Sequence, residues 1–373
     1  MTTQIEKTII TDLLKQAGIT VNGNNPWDIQ VHNEQMYSRI FRDHTVGAGE
    51  SYVDGWWDCA ALDMFFDRVI RADIENKIKK NYRLLFKILL ARISNWQTPK
   101  NAFVVGKRHY DLGNDLFTGM LDQNMNYTCG YWKNASALEE AQLAKLELIC
   151  QKLKLQPGMR ILDIGCGFGA FAKYAAKKYQ ANIVGVTISE KQAEYAKENC
   201  RDLPIDIRLQ DYRDITEKFD RVVSIGMFEH VGYMNYHNYM RIVHDCLPDE
   251  GIFLLHTIGS NHSVYKADEW ITKYIFPHGM LPSIAQIGKS IEDFFIMEDW
   301  HNFGIYYDKT LMAWHHNFNQ HWDELKLHYG DRFYRMWNYY LLLCAGGFRS
   351  RSMQVWQIVL SKKGLTGGYD APR

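Results

Sequence analysis

The sequence predicts an α/β protein: a mostly parallel sheet with helices on both faces, preceded by a smaller N-terminal α+β domain. Three observations predict it. Short apolar runs alternate with amphipathic stretches from Met159 onward, the pattern of βα units that stack strands in parallel. The first apolar run passes straight into a glycine turn, Asp163-Ile-Gly-Cys-Gly-Phe-Gly169, and then into an amphipathic stretch, Ala170 to Tyr179. The residues before about 93 follow a different rhythm, with helical faces, one short alternating piece and no catalytic constellation.

In chain order, Ile5, Ile9, Leu13 and Ala17 share one helical face, which Gly18 ends. Trp27 to Val31 alternates as a strand, and a helix through Tyr37 and Ile40 follows. Gly47 to Asp58 is dense in glycine and aromatics and reads as a loop, and Leu62 to Ile70 as a helix. Next, Lys77, Lys79, Lys80, Arg83 and Lys87 fall on one side of a helical wheel, with Ile78, Tyr82, Leu85, Phe86 and Leu89 opposite. Such a basic amphipathic helix suits an anionic membrane surface, and equally a surface helix packed on a core. These limits place an N-terminal domain at 1–93, a linker at 94–108 containing Pro99, and a catalytic domain at 109–373.

Within the last, Leu138 to Leu153 is a helix leading into the strand before the glycine turn. Strands follow at Asn182 to Thr187, Ile205 to Gln210, Phe219 to Ile225 and Gly251 to Ile258, with helices at Glu190 to Cys200 and Tyr236 to Cys246 between them. A long insertion, Gly259 to Ile291, reads as a cover over the substrate site. A sixth strand, aromatic-rich helices at Thr310 to Leu327 and Asp331 to Ala345, and a last strand at Gln354 to Leu360 complete the pattern.

Composition excludes several classes. Acidic and basic residues balance, 43 against 43, which argues against a protein built to grip nucleic acid. The 7 cysteines form no C-x-x-C pair, so the chain predicts reduced thiols, no disulfide frame and no metal site. The start is polar, and no apolar run approaches the roughly 20 residues that span a bilayer. A cytoplasmic protein, soluble or peripheral on a membrane, is expected.

Ligands of parallel sheets bind at the carboxyl ends of the strands. The turn reads D-x-G-x-G-x-G, and the strand after it ends in Thr-Ile-Ser, without the acid that holds a dinucleotide ribose. No Gly-Lys-Ser/Thr follows, which excludes a P-loop. The D-I-G-C-G-F-G turn resembles the first motif of the class I S-adenosylmethionine (SAM) methyltransferases. In that reading Gly165, Gly167 and Gly169 serve the methionine end of SAM, Asp163 counts among the cofactor residues, and Thr187, Ser189 and Gln192 offer neutral hydrogen bonds at the second strand end. Gln210, Asp211 and Tyr212 close the third: Asp211 can accept from the adenine amino group, or cap a helix, and Tyr212 can stack on the ring. Glu229 and His256 come off adjacent strands at the reactive rim.

The resemblance then extends along nearly the whole chain. Y-D-L-G-N-D-L-F, N-Y-T-C-G-Y-W, G-V-T-I-S, F-E-H-V-G, Y-I-F-P-H-G-M-L-P-S and Y-Y-D-K-T-L-M-A-W occur in order, and G-A-G-E-S-Y-V-D-G-W-W-D precedes them. Together they resemble the bacterial cyclopropane-fatty-acyl-phospholipid synthases, in their longer two-domain form. The resemblance implies methylene transfer from SAM to a cis double bond of a phospholipid acyl chain, on the inner face of the bacterial membrane, by a homodimer. It adds Tyr127 to the cofactor residues, and it implies a bound bicarbonate ion as the base, cradled by Cys129, Glu229, His256, the backbone of Ile258, and Tyr307. A SAM-dependent enzyme that stops at simple methylation, and a non-catalytic lipid-binding protein, are the alternatives.

Overall fold

The computed structural model describes residues 2–74 and 113–373. The basic face from Lys77 to Lys87, the linker at 94–108 and the start of the Tyr110 motif lie outside the described residues. The described chain forms two compact units.

The second unit takes in residues 113–265, Pro277–Tyr306 and Gln354–Arg373. After helix α1 (Leu138–Lys152) it alternates β1 (Arg160–Ile164), α2 (Ala170–Tyr179), β2 (Asn182–Thr187), α3 (Glu190–Asn199), β3 (Ile205–Leu209) and β4 (Arg221–Ile225). Helix α4 (Tyr236–Cys246), β5 (Ile252–Ser260), α5 (Ile284–Ile291), β6 (Ile296–Asn302) and β7 (Met353–Ser361) follow. The seven strands make one sheet in the order β3-β2-β1-β4-β5-β7-β6. The first five run parallel and β6 pairs antiparallel with β7. Successive side chains explain why helices cover both faces. Leu162, Val184, Val222 and Phe253 enter the core under α4 and α5, and their neighbours Ile161, Ile183, Val223 and Leu254 enter the core under α1 and α2. The strand order steps outward from β1 in both directions, which puts the glycine turn at the topological switch point.

The first unit takes in residues 2–74, but also Lys266–Phe276 and Tyr307–Met353. Both later segments, which the sequence places in the catalytic domain and the first of them in a cover, pack with residues 2–74. The helix Asp331–Arg349 lies on the helix Leu62–Arg71 where Gly346 leaves room: a Cβ there would sit 2.5 Å from the Cβ of Phe66. Arg349 reaches Asp63 at 2.5 Å and Asp308 at 2.9 Å. Gly47 to Val53 is helical rather than a loop, the end of a helix Gln35–Val53 that kinks at His44. Its glycines serve contact, not turning: a Cβ on Gly47 would meet the Arg39 carbonyl oxygen at 2.2 Å, and one on Gly49 would meet the indole nitrogen of Trp270 at 2.3 Å.

Candidate active site

A cavity of about 180 Å³ lies in the second unit at the carboxyl ends of β1 to β4. Tyr127, Asp163, Gly165, Gly167, Thr187, Ser189, Gln192, Gln210, Asp211 and Tyr212, all assigned to the cofactor from sequence, line it. Gly165 and Gly167 have φ of +81° and +54°, the left-handed region that favours glycine. At Gly167 a Cβ would meet nothing within 4 Å, so backbone faces open space there. Gly169 is not among the lining residues. Its missing Cβ faces Ala196 and Cys200 at 3.2 Å, so this glycine lets α2 approach α3.

At the end of β2 the neutral residues hold one another. The Thr187 hydroxyl donates to Gln192 Oε1 at 3.0 Å and accepts the Ser189 amide at 3.2 Å, and Ser189 Oγ accepts the Gln192 amide and caps α3. At the end of β3 Asp211 caps a single 3₁₀ turn, accepting the Arg213 amide at 2.9 Å and its guanidinium at 3.0 Å. The capping role left open by the sequence is therefore present, and the same side chain lines the cavity. Asp163 is buried with Oδ2 lacking a hydrogen-bond partner among the described residues, and burial pushes its carboxyl up to about 7.

Where β4 and β5 end, Glu229, His256 and Ile258 come together. Glu229 Oε1 accepts the Ile258 amide at 2.7 Å. Its other oxygen is buried without a partner among the described residues, and burial pushes the carboxyl up to about 7. His256 is 2% exposed; burial, and then the charges of Lys145 and Lys152, hold it well below the usual imidazole range, so the ring is neutral. Cys129 is fully buried, with its thiol on the Gly130 carbonyl at 3.3 Å. Tyr307 belongs to the first unit, where its ring lies 4.6 Å from that of Phe348 and 5.8 Å from that of Trp314.

Two buried groups at this edge escaped the sequence reading. Lys145 lines the cavity at 1% exposure, donating to Asn126 Oδ1 at 2.9 Å and Thr128 Oγ1 at 2.8 Å. The signal was present: Lys145 falls four residues after Ala141 and four before Ile149, on the buried face of α1. Tyr236 packs on Phe228 at 4.3 Å, close enough to Glu229 for the two to interact electrostatically, and its hydroxyl has no hydrogen-bond partner among the described residues. No signal in the pattern separates it from an ordinary core tyrosine. No cluster of three or more potential metal ligands occurs among the described residues.

A parallel sheet in this order, with a glycine turn under a cavity at its carboxyl edge, defines a class I SAM-dependent methyltransferase fold. Coclaurine N-methyltransferase bound to N-methylheliamine and SAH shares it at 20% identity, with a TM-score of 0.70 over 84% of this chain and 98% of that one. More particularly, residues 97–358 match the model for mycolic acid cyclopropane synthetase, and the chain belongs to that family. It is 53% identical to the cyclopropane-fatty-acyl-phospholipid synthase of Escherichia coli K12 over 365 residues, 98% of this chain and 95% of the relative. Cyclopropane mycolic acid synthase 2 of Mycobacterium leprae is 36% identical over 68% of this chain and 92% of its own length. A mycolic acid cyclopropane synthase solved with SAH and CTAB superposes with a TM-score of 0.67 at 33% identity, covering 70% of this chain and 98% of that one.

Proposed function

We propose that this enzyme transfers a methylene from SAM to the cis double bond of an unsaturated phospholipid acyl chain, closing a cyclopropane. One observation carries the reading: in a chain of this family, the buried carboxylate of Glu229 holds one oxygen on the Ile258 amide and leaves the other without a partner among the described residues. SAM supplies an electrophilic methyl group, and a bicarbonate ion supplies the base that takes a proton from the new methyl.

The chain's own residues do the rest. Backbone at Gly167, where a Cβ would meet nothing within 4 Å, admits the cofactor closely, the missing Cβ of Gly165 makes room for Met227 on the cavity wall, and residues at the ends of β2 and β3 hold the cofactor's nucleoside. An alkene is a weak nucleophile, so alignment with the methyl is the main contribution available to the protein. The developing positive charge favours aromatic faces over water. A negatively charged base beside Glu229 is tolerable only when it carries a proton to donate to that carboxylate, which bicarbonate does and chloride or nitrate does not. The orphaned Glu229 oxygen fits such a donor, and a carboxyl near 7 exchanges protons readily at neutral pH. Neutral His256 has one N–H to give to the anion, and Cys129, the Ile258 backbone and Tyr307 enter the set by the family pattern alone. Docking through the basic face at Lys77 to Lys87 on the cytoplasmic leaflet, by a homodimer, belongs to the same reading.

Incubation with SAM and vesicles of unsaturated phospholipid tests it. Gain of one CH₂ by mass with loss of the olefin is the expected result. Gain with the olefin retained would reduce the enzyme to a methylating one, and no gain would overturn the reading.

A further inference from the structure

Lys145 is a cation where a cation is costly. It is 1% exposed, and among the described residues no carboxylate lies within ion-pairing distance of it. Its hydrogen-bond partners among the described residues are neutral oxygens, on Asn126 and Thr128, and an ammonium has three hydrogens to donate. Asp122, the carboxylate whose charge acts on it, is engaged elsewhere. Asp122 accepts the amides of Asn124 and Asn126 and the Asn126 side-chain NH₂, so the Asn126 amide is turned with its oxygen toward Lys145. Cys129 is the other ionisable neighbour that acts on it, and Lys145 in turn acts on His256. Burial pulls the ammonium down to about 8.

Lys145 lines the cavity, and its position along it is defined. Thr128, which it holds, packs over Gly226 after β4: a Cβ on Gly226 would lie 2.6 Å from Thr128 Cγ2. Asp211 and Tyr212 follow β3, on the far side of β1 in the sheet order. Lys145 thus sits at the end of the cavity opposite the strand end assigned to adenine. SAM carries a neutral nucleoside, a positive sulfonium, a positive ammonium and one anionic group. Only that anion matches a buried cation; the other charged parts are repelled by it. Asp163, the unpartnered carboxyl in the same cavity, suits the ammonium instead.

We propose that Lys145 receives the α-carboxylate of SAM, so that Lys145 and Asp163 together read the zwitterionic end of the cofactor. The proposal rests on the reading of this cavity as the SAM site, and the experiment separates the two. Calorimetric affinities are measured for SAM and for decarboxylated SAM, which keeps the nucleoside, sulfonium and amine, on wild type, Lys145→Met, Lys145→Arg and Gly167→Val.

Wild type is expected to favour SAM over the decarboxylated ligand by roughly 10- to 100-fold, the scale of a hydrogen bond to a charged group. Lys145→Met should lose that preference while holding decarboxylated SAM within a few-fold, Lys145→Arg should recover part of it, and Gly167→Val should lose both ligands. Equal weakening of both ligands by Lys145→Met would make Lys145 a scaffold residue and overturn the proposal. Unchanged SAM affinity in that variant, with more bicarbonate needed for half-maximal activity, would move the cation to the base and also overturn it. Should Lys145→Met fail to fold, equal affinity of wild type for the two ligands is by itself enough to reject the carboxylate contact. Gly167→Val binding both normally would instead remove the cavity from the cofactor.

Discussion

Replacing Glu229 by Gln separates the chemistry of this carboxylate from its cost to the fold. Glu229 is buried, and its proton affinity rises from an ordinary 4.5 to about 7. A raised carboxyl favours folding fully only below its unfolded value, and that contribution is lost as pH climbs toward the folded value. At about 1.4 kcal/mol for each tenfold change in proton affinity, the loss amounts to about 2–3 kcal/mol between pH 5 and pH 8. Gln keeps the shape and can still accept the Ile258 amide, but it does not titrate. Its buried NH₂ lacks a partner much as the carboxylate oxygen did, a term that does not depend on pH. Urea unfolding of both proteins at pH 5 and pH 8 is the assay. Wild type is expected to lose about 2–3 kcal/mol relative to Glu229→Gln across that range, and other titrating groups cancel in the comparison. Turnover should fall by about 10²-fold or more while SAM still binds, the scale for a positioned acid–base group. A stability difference that stays flat from pH 5 to pH 8 would refute the assignment of a raised carboxyl here.

Three further outcomes are expected. Gly169→Ala puts a Cβ at φ +84° against Ala196 and Cys200, and should lower stability by about 1–2 kcal/mol with SAM affinity within a few-fold; a tenfold loss of affinity in a folded variant would return Gly169 to the cofactor. Reversing Lys77, Lys79 and Lys80 should weaken co-sedimentation with anionic vesicles by at least roughly 100-fold, at about 1 kcal/mol for each basic residue, and leave SAM binding alone. Activity should fall in bicarbonate-free buffer and return on adding bicarbonate; full activity without it would make Glu229 itself the base.

The catalytic sheet was legible because strands buried on both faces read as short apolar runs, and each glycine turn or strand end that lines the cavity follows such a run directly. Local information was enough to put Thr187, Ser189, Gln192 and Asp211 at the strand ends that line the cavity, where their partners lie within a few residues. It failed where contact is long-range. Gly47 and Gly49 look like loop residues because glycine usually breaks helices, yet here they admit the Arg39 carbonyl and Trp270. The pairing of Arg349 with Asp63 and Asp308 bridges segments 286 and 41 residues apart, so no window along the chain reveals that the aromatic helices join the first unit. The same limit applies to Lys145: its register on α1 shows that it is buried, but not what faces it.

Two lysines on α1 make that distinction concrete, because burial alone treats them alike. Lys152 lies two turns beyond Lys145 and is also buried. It has a carboxylate, Asp299, at 3.1 Å, which Arg373 also holds at 2.8 Å, and its ammonium lies 3.1 Å from His301 Nδ1. That is a paired charge whose removal is a matter of folding. Breaking a buried pair outright costs about 3–5 kcal/mol, and because Arg373 stays on Asp299, Lys152→Met should cost less, about 1–3 kcal/mol, with SAM affinity unchanged. Lys145 has neutral oxygens in place of a carboxylate, and its substitution should be felt in the ligand. Measuring stability and SAM affinity on both variants places each lysine on one axis or the other. If Lys152→Met weakened SAM as strongly as Lys145→Met, with both proteins folded, pairing would not be what separates a structural charge from a functional one in this core, and the unpartnered oxygens of Asp163 and Glu229 would lose their force as markers of the site.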